Sequence, residues 1–127
     1  MAAIQIKRAY EPLDKSDGYR ILVDRLWPRG IKKNEAHFDA WLKDIAPSTE
    51  LRKWFNHEPE KWVSFKNKYK TELKHSPALV ELSELIKKHK TISLVYGAKD
   101  EMHNQALVLK EFIEKGKILN QFKPDKK

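Results

Sequence analysis

Two short segments constrain the fold more than anything else in the chain. The run Ile21-Leu22-Val23 and the segment Thr91 to Tyr96 are apolar on both faces. A strand with one wet face alternates, whereas these read as strands buried on both sides, the habit of sheets covered by helices on each face. A third segment, Ile4 to Tyr10, alternates, with Ile4, Ile6, Arg8 and Tyr10 on one side. The expected strands are therefore Ile4 to Tyr10, Tyr19 to Leu26 and Thr91 to Tyr96.

Five helices are expected around them. Asn34 can cap one whose apolar face is Phe38, Trp41, Leu42 and Ile45. Ser48 can cap a short one carrying Leu51, Trp54 and Phe55. Pro59 suits a first helical position ahead of Trp62, Phe65, Tyr69 and Leu73. Ser76-Pro77 opens a fourth, with Leu79, Leu82, Leu85 and Ile86 inward. A last helix, carrying Met102, Ala106, Leu109 and Ile113, runs to about Lys115 with Gly116 just past its end. The expectation is one α/β domain over 1–122 and a loose basic tail over 123–127. Strand direction is contested at this level. Eight residues, Glu11 to Gly18, join the first two strands, and a parallel crossover normally takes a dozen or more, so spacing favours a hairpin.

The segment Asp24-Arg25-Leu26-Trp27-Pro28-Arg29-Gly30 turns from apolar strand to charged loop within one residue. A corner alone would use Gly, Asn or Pro. In open α/β sheets ligands bind beyond the carboxyl ends of strands, which makes Asp24, Arg25 and Arg29 a candidate site. The arginines would clamp an anion, and Asp24 would orient it or take a proton. The competing reading is an internal ion pair that pins the turn. Lys99, Asp100, His103 and Asn104 form a second cluster at an expected helix start, where free N–H groups favour anions. There Asp100 alternatively serves only as an N-cap, and His103 is either a general acid–base or solvated. Trp27 is placed to stack on a ligand ring, whereas Trp41, Trp54 and Trp62 sit at core spacing.

Composition narrows the chemistry. The chain has no cysteine, which excludes disulfides, thiolate metal ligands and a cysteine nucleophile. His37, His57, His75 and His89 have no metal-ligand spacing, so no metal site is expected. With four glycines, no phosphate-cradling or dinucleotide-binding loop can be built, and no cofactor is indicated. No signal peptide or long apolar span is visible, which predicts a cytoplasmic protein with no membrane association. The net charge of +8 comes mostly from lysine, since only five of the 26 basic residues are arginine. That is the look of a solvated surface, but it keeps a nucleic-acid-binding or regulatory module in view, using the basic helix from Lys61 to Lys74. A partner-binding subunit using the Trp-rich helices is a third reading. Four of the arginines, Arg8, Arg20, Arg25 and Arg29, lie in the first 29 residues. Arginine grips carboxylate or phosphate by two bonds, so such grouping suits recognition of a compact anionic ligand, a nucleotide or phosphate ester.

The chain resembles the YeaO-like family of bacteria and archaea. The resemblance rests on Lys7-Arg8-Ala9-Tyr10, the Leu22 to Gly30 block, Trp41-Leu42-Lys43-Asp44-Ile45-Ala46-Pro47-Ser48, Leu51-Arg52-Lys53-Trp54-Phe55 and Ala98-Lys99-Asp100. It implies no settled activity. More distant relatives place a helix between the first two strands, which by resemblance implies a parallel pair, against the spacing argument. The fold the resemblance favours is a three-stranded, mostly parallel sheet under about five helices. Parallel strands would gather Arg8, Asp24, Arg25, Lys99 and Asp100 on one edge. More distant relatives resemble the chain in a Lys-Asp-x-x-His element, here Lys99 to His103. They commonly carry histidine where this chain has Gln105 and a cysteine near Asn104, so a shared imidazole or thiol chemistry does not transfer.

Overall fold

The strand with no solvated face takes the middle of the sheet. In the computed structural model, which describes residues 2–115, β1 (Ala3–Arg8), β2 (Tyr19–Leu22), β3 (Ala40–Trp41) and β4 (Thr91–Tyr96) form one sheet in the order β1-β4-β2-β3. Every pairing is parallel. β4 is matched residue for residue with β1, from Ala3 opposite Thr91 to Arg8 opposite Tyr96, and with β2 from Tyr19 opposite Ile92 to Leu22 opposite Val95. Four α-helices accompany the sheet: α1 (Thr49–Phe55), α2 (Trp62–Lys74), α3 (Ala78–Lys88) and α4 (Gln105–Glu114). The described residues thus carry four strands rather than three and four α-helices rather than about five.

The hairpin that spacing favoured does not form. β1 and β2 are not neighbours, because β4 lies between them. The ten residues 9–18 reach roughly 33 Å when extended, against roughly 20 Å for a six-residue strand, so they return the chain without a full helix. Where a helix was implied there is one 3-10 turn, Lys15–Asp17, closed by an Asp14–Asp17 capping box. Gly18 then enters β2 at φ +67°, and a Cβ there would collide with Thr91 of β4.

The two faces of the sheet are covered differently. Ile4, Ile21, Ile92 and Leu94 pack under residues of all four helices, including Phe65 and Tyr69 of α2 and Phe112 of α4. The opposite face was expected to carry helices too, and it carries loop segments instead. Leu22, Val95 and Ala9 meet Trp27, Ile31, Phe38 and Trp41 there. The rest of that face is polar: Lys7 and Arg20 converge on buried Asp17 at 2.8 and 2.6 Å, and Ser93 donates to the Asp17 carbonyl at 2.7 Å. Burial would raise the Asp17 pKa, but the Lys7 ammonium, the Asp14 N–H and Arg20 together hold it below the ordinary carboxylate value.

The helix expected from Asn34 to Ile45 is absent, and its residues divide between the two faces. β2 would otherwise end the sheet with an open edge of unpaired backbone groups. Asp39 N–H donates to the Arg20 carbonyl at 2.8 Å and Leu42 N–H to the Leu22 carbonyl at 3.0 Å, which makes Ala40–Trp41 a covering strand. Phe38 and Trp41 go to the loop-covered face, Leu42 and Ile45 to the helical core. His37, at φ +55°, breaks the chain before the strand. Ser48 does cap α1, accepting from Leu51 N–H, and Pro59 does open a turn leading into α2. The final helix starts late. Asn104 is its N-cap, while Asp100 closes a separate turn by accepting from Met102 and His103 N–H. Met102 is consequently exposed rather than in the core. Trp54 is exposed as well. The expected stop at Gly116 and the tail over 123–127 lie outside the described residues.

Candidate functional site

Chain direction opens a crevice between β2 and β4. From β2 the chain turns outward to β3, while from β4 it turns the other way into α4, which packs on β4 and β1. Ligands of open parallel sheets bind at such a switch point, beyond the carboxyl ends of the strands. A cavity of about 410 Å³ sits there. Asp24 and Arg25 enter it from the end of β2, and Ala98, His103, Asn104 and Gln105 from the chain after β4. The far wall comes from α1 and the turn after it, through Arg52, Lys53, Phe55, Asn56 and His57.

Asp24 is held from both sides of the crevice. Its Oδ2 accepts from the Gly97 N–H at 2.8 Å, and its Oδ1 accepts from Gln105 Nε2. Its carbonyl accepts from Trp41 Nε1 at 2.7 Å, which ties the turn to β3. Gly97 is needed for this approach, since a Cβ there would lie 2.8 Å from Asp24 Oδ2. Burial pushes the Asp24 carboxyl up to about 6, against the pull of the Gly97 and Gln105 donors and the positive charge of Arg52. Asp24 is the one acid lining the cavity among the described residues, beside two arginines, a lysine and two histidines.

Arg25 also lines the cavity, but its guanidinium braces the protein. Nε donates to the Pro47 carbonyl at 3.1 Å and Nη2 to the Ala46 carbonyl at 3.0 Å, with Asp44 at 3.6 Å from Nη1. His103 takes its position from Asp100, whose Oδ2 lies 2.9 Å from Nδ1, and from the Trp62 ring, met edge-on at 5.2 Å. That bond, with the Met102 N–H, lowers the Asp100 pKa. Asn104 is buried, accepting from Leu107 N–H and donating to the Asp100 carbonyl. Asn56 and His57 follow α1 at φ +48° and +54°, a costly backbone for two non-glycine residues placed in a cavity wall.

Of the residues singled out from sequence, Asp24, Arg25, His103 and Asn104 therefore meet at one cavity, and Arg8, Trp27, Arg29, Lys99 and Asp100 do not line it. Arg8 donates to the Ala98 carbonyl at 2.9 Å and lies over the Tyr10 ring, a support behind the loop. Trp27 is turned away into the loop-covered face, against Phe38 and Trp41. Arg29 and Lys99 are exposed on the surface. Sequence reasoning passed over Arg52, Lys53 and His57. The available signal was Arg52, the one arginine outside the N-terminal group, on a helix with only Leu51 and Phe55 buried. Among the described residues no three His, Cys, Asp or Glu side chains are placed to hold a metal ion. None of their helices is long and apolar enough to cross a membrane.

Fold and site define a small parallel α/β protein with a basic-rimmed, carboxylate-bearing cavity at its switch point. Sequence comparison places the chain in a family: residues 3–125 match the inactive DUF488-N3 subclade, and the chain belongs to it. The chain is 49% identical to the uncharacterized protein YeaO of Escherichia coli K12 over 111 residues, covering 87% of this chain and 96% of the relative. It is 48% identical over 82 residues to the uncharacterized protein Rv3073c of Mycobacterium tuberculosis H37Rv and to Mb3100c of Mycobacterium bovis, covering 65% of this chain and 70% of each. The YeaO-like resemblance read from the motifs is thus borne out. No solved structure matches the chain.

Proposed function

We propose that the switch-point cavity is a cytoplasmic binding site for a compact anionic ligand, a nucleotide or phosphate ester. The observation that carries this reading is the lining itself: Arg52, Lys53, His57 and His103 gather around a cavity of about 410 Å³, a size suited to a small ligand. Arg52 and Lys53 are exposed side chains with no hydrogen bond or ion pair among the described residues, so their donors are available. The subclade's description as inactive favours binding without turnover. On this reading Asp24 orients the ligand and His103 contacts it, with neither required to move a proton.

The test is a calorimetric titration with ribose 5-phosphate and nucleoside monophosphates. Binding to the wild type, weakened about ten- to a hundredfold in Arg52→Ala/Lys53→Ala, supports the reading, since a charge-assisted hydrogen bond contributes about 1.5–3 kcal/mol. No heat with any of these probes, or equal affinity in the double variant, overturns it.

A nucleic-acid surface is the second reading. Its support is exposed Trp54 with the ammoniums of Lys61 and Lys68 5.0 and 5.1 Å from its ring, a pairing of aromatic and cation that suits stacked bases. Affinity for single-stranded nucleic acid that falls steeply with salt and is lost in Trp54→Ala would favour it over the cavity.

A further inference from the structure

Asp24, the one acid lining the cavity among the described residues, is at odds with a site for a bare phosphate. A carboxylate among Arg52, Lys53, His57 and His103 repels an anion that approaches it, and nothing in the cavity pairs it as a salt bridge. Both of its oxygens are already used once, Oδ2 by Gly97 N–H and Oδ1 by Gln105 Nε2. A carboxylate has about four acceptor positions, so each oxygen keeps one. What remains is a pair of adjacent acceptors held in place by the chain on either side of the crevice.

The lining also has an apolar part. Leu26, Pro47, Phe55 and Phe65 border the same space, with Leu26 63% exposed. A ligand that satisfies the whole lining has three features. It carries two neighbouring N–H donors for the carboxylate, a flat apolar body for the phenylalanines and Leu26, and a negative group for Arg52 and Lys53. From this we infer that the site, if it binds compact anions as proposed above, selects a nucleoside monophosphate whose base offers adjacent ring and exocyclic N–H groups, the guanine pattern, with Asp24 reading the base. Adenine offers only one such donor beside a ring acceptor, and that acceptor would face a carboxylate oxygen. Asp24 is then a specificity residue, and Gly97 and Gln105 are positioning residues that aim it.

Protonation gives the inference a signature. An ionised Asp24 accepts two N–H bonds, but once protonated it presents an O–H in place of one acceptor. The other charged or titratable groups that line the cavity are Arg25, Arg52, Lys53, His57 and His103, none of which is an acid. Base recognition should fade below about pH 6; a phosphate ester also loses charge near that pH, but it does so alike in every probe.

The experiment is calorimetry with GMP, AMP and ribose 5-phosphate at about pH 7.5 and about pH 5, on the wild type and Asp24→Asn. The expected result is GMP bound about ten- to a hundredfold more tightly than ribose 5-phosphate at the higher pH, the span of a good bidentate base contact. AMP should lie near ribose 5-phosphate. The GMP advantage, a ratio in which the phosphate's own protonation cancels, should collapse at the lower pH and in Asp24→Asn, where loss of the repelling carboxylate should leave ribose 5-phosphate bound more tightly than by the wild type. Equal affinities for GMP and ribose 5-phosphate, or an advantage untouched by both changes, overturn this inference and leave the anion site standing. Absence of binding by all three probes removes both. Gln105→Ala covers an Asp24→Asn protein that fails to fold, because it frees one carboxylate oxygen without touching the charge and should blunt the GMP preference.

Discussion

Asp24 is the residue at which stability and the proposed binding role pull apart. A carboxyl whose pKa is raised on folding binds more protons in the native state than in the unfolded chain over the interval between the two values. The stability it contributes is therefore fully present below the unfolded value of 3.8 and is lost as pH rises through about 6. Two units at ~1.4 kcal/mol each set the ceiling; partial solvent access trims it to about 2 kcal/mol. Asp24→Asn should thus be more stable than the wild type by about 1–2 kcal/mol at pH 7 and lose that advantage toward pH 4. Denaturant unfolding of both proteins across that pH range measures it. An Asn variant less stable than the wild type at neutral pH would show that the carboxylate is a structural ion, not a poised acceptor.

At the scale of elements, sequence periodicity read some segments well and misread others for physical reasons. α2 and α3 were legible because Phe65, Tyr69 and Leu73, and likewise Leu79, Leu82 and Ile86, all face one core. The segment from Asn34 to Ile45 has the same spacing but serves two cores and a sheet edge, and edge demand is invisible to a local pattern. Capping was legible at Ser48 but displaced by one turn at Asp100, because Asn104 fits the cap that precedes the apolar run of α4. The cavity was half legible. Strand ends announced Asp24, Arg25 and His103, whereas Arg52, Lys53 and His57 come from a helix that only tertiary packing brings across the crevice. Ser48, the cap of α1, is tied to Glu72 of α2 through its N–H and hydroxyl, and Tyr69 of α2, fully buried, donates from its hydroxyl to the Ile45 carbonyl at 2.7 Å. Tyr69→Phe leaves a buried carbonyl unpaired and should cost about 1–3 kcal/mol. A chemical denaturation midpoint unchanged by Tyr69→Phe would mean that this hydrogen bond does not help to hold α2, leaving its apolar face and its Ser48–Glu72 and Lys70–Glu111 contacts to do so.

For the whole molecule, the net charge of +8 bears on how a ligand arrives rather than on which ligand stays. Screening lengths shrink from about 10 Å at 0.1 M salt to about 3 Å at 1 M. Association of a phosphate ester should slow several-fold between about 50 and 500 mM salt, with a smaller change in dissociation, in stopped-flow measurements. A dissociation rate that carries the whole salt effect would place the ion contact deeper than the exposed Arg52 and Lys53. On the proposed reading one cavity, at the crevice between β2 and β4, does the binding. The direct test is an amide-resolved NMR titration of the isotope-labelled protein with GMP. Shifts should concentrate at Asp24, Arg52, Lys53, Gly97 and Gln105, with Trp54 and the lysines of α2 unmoved. Shifts centred on Trp54, Lys61 and Lys68 with the crevice silent would contradict it.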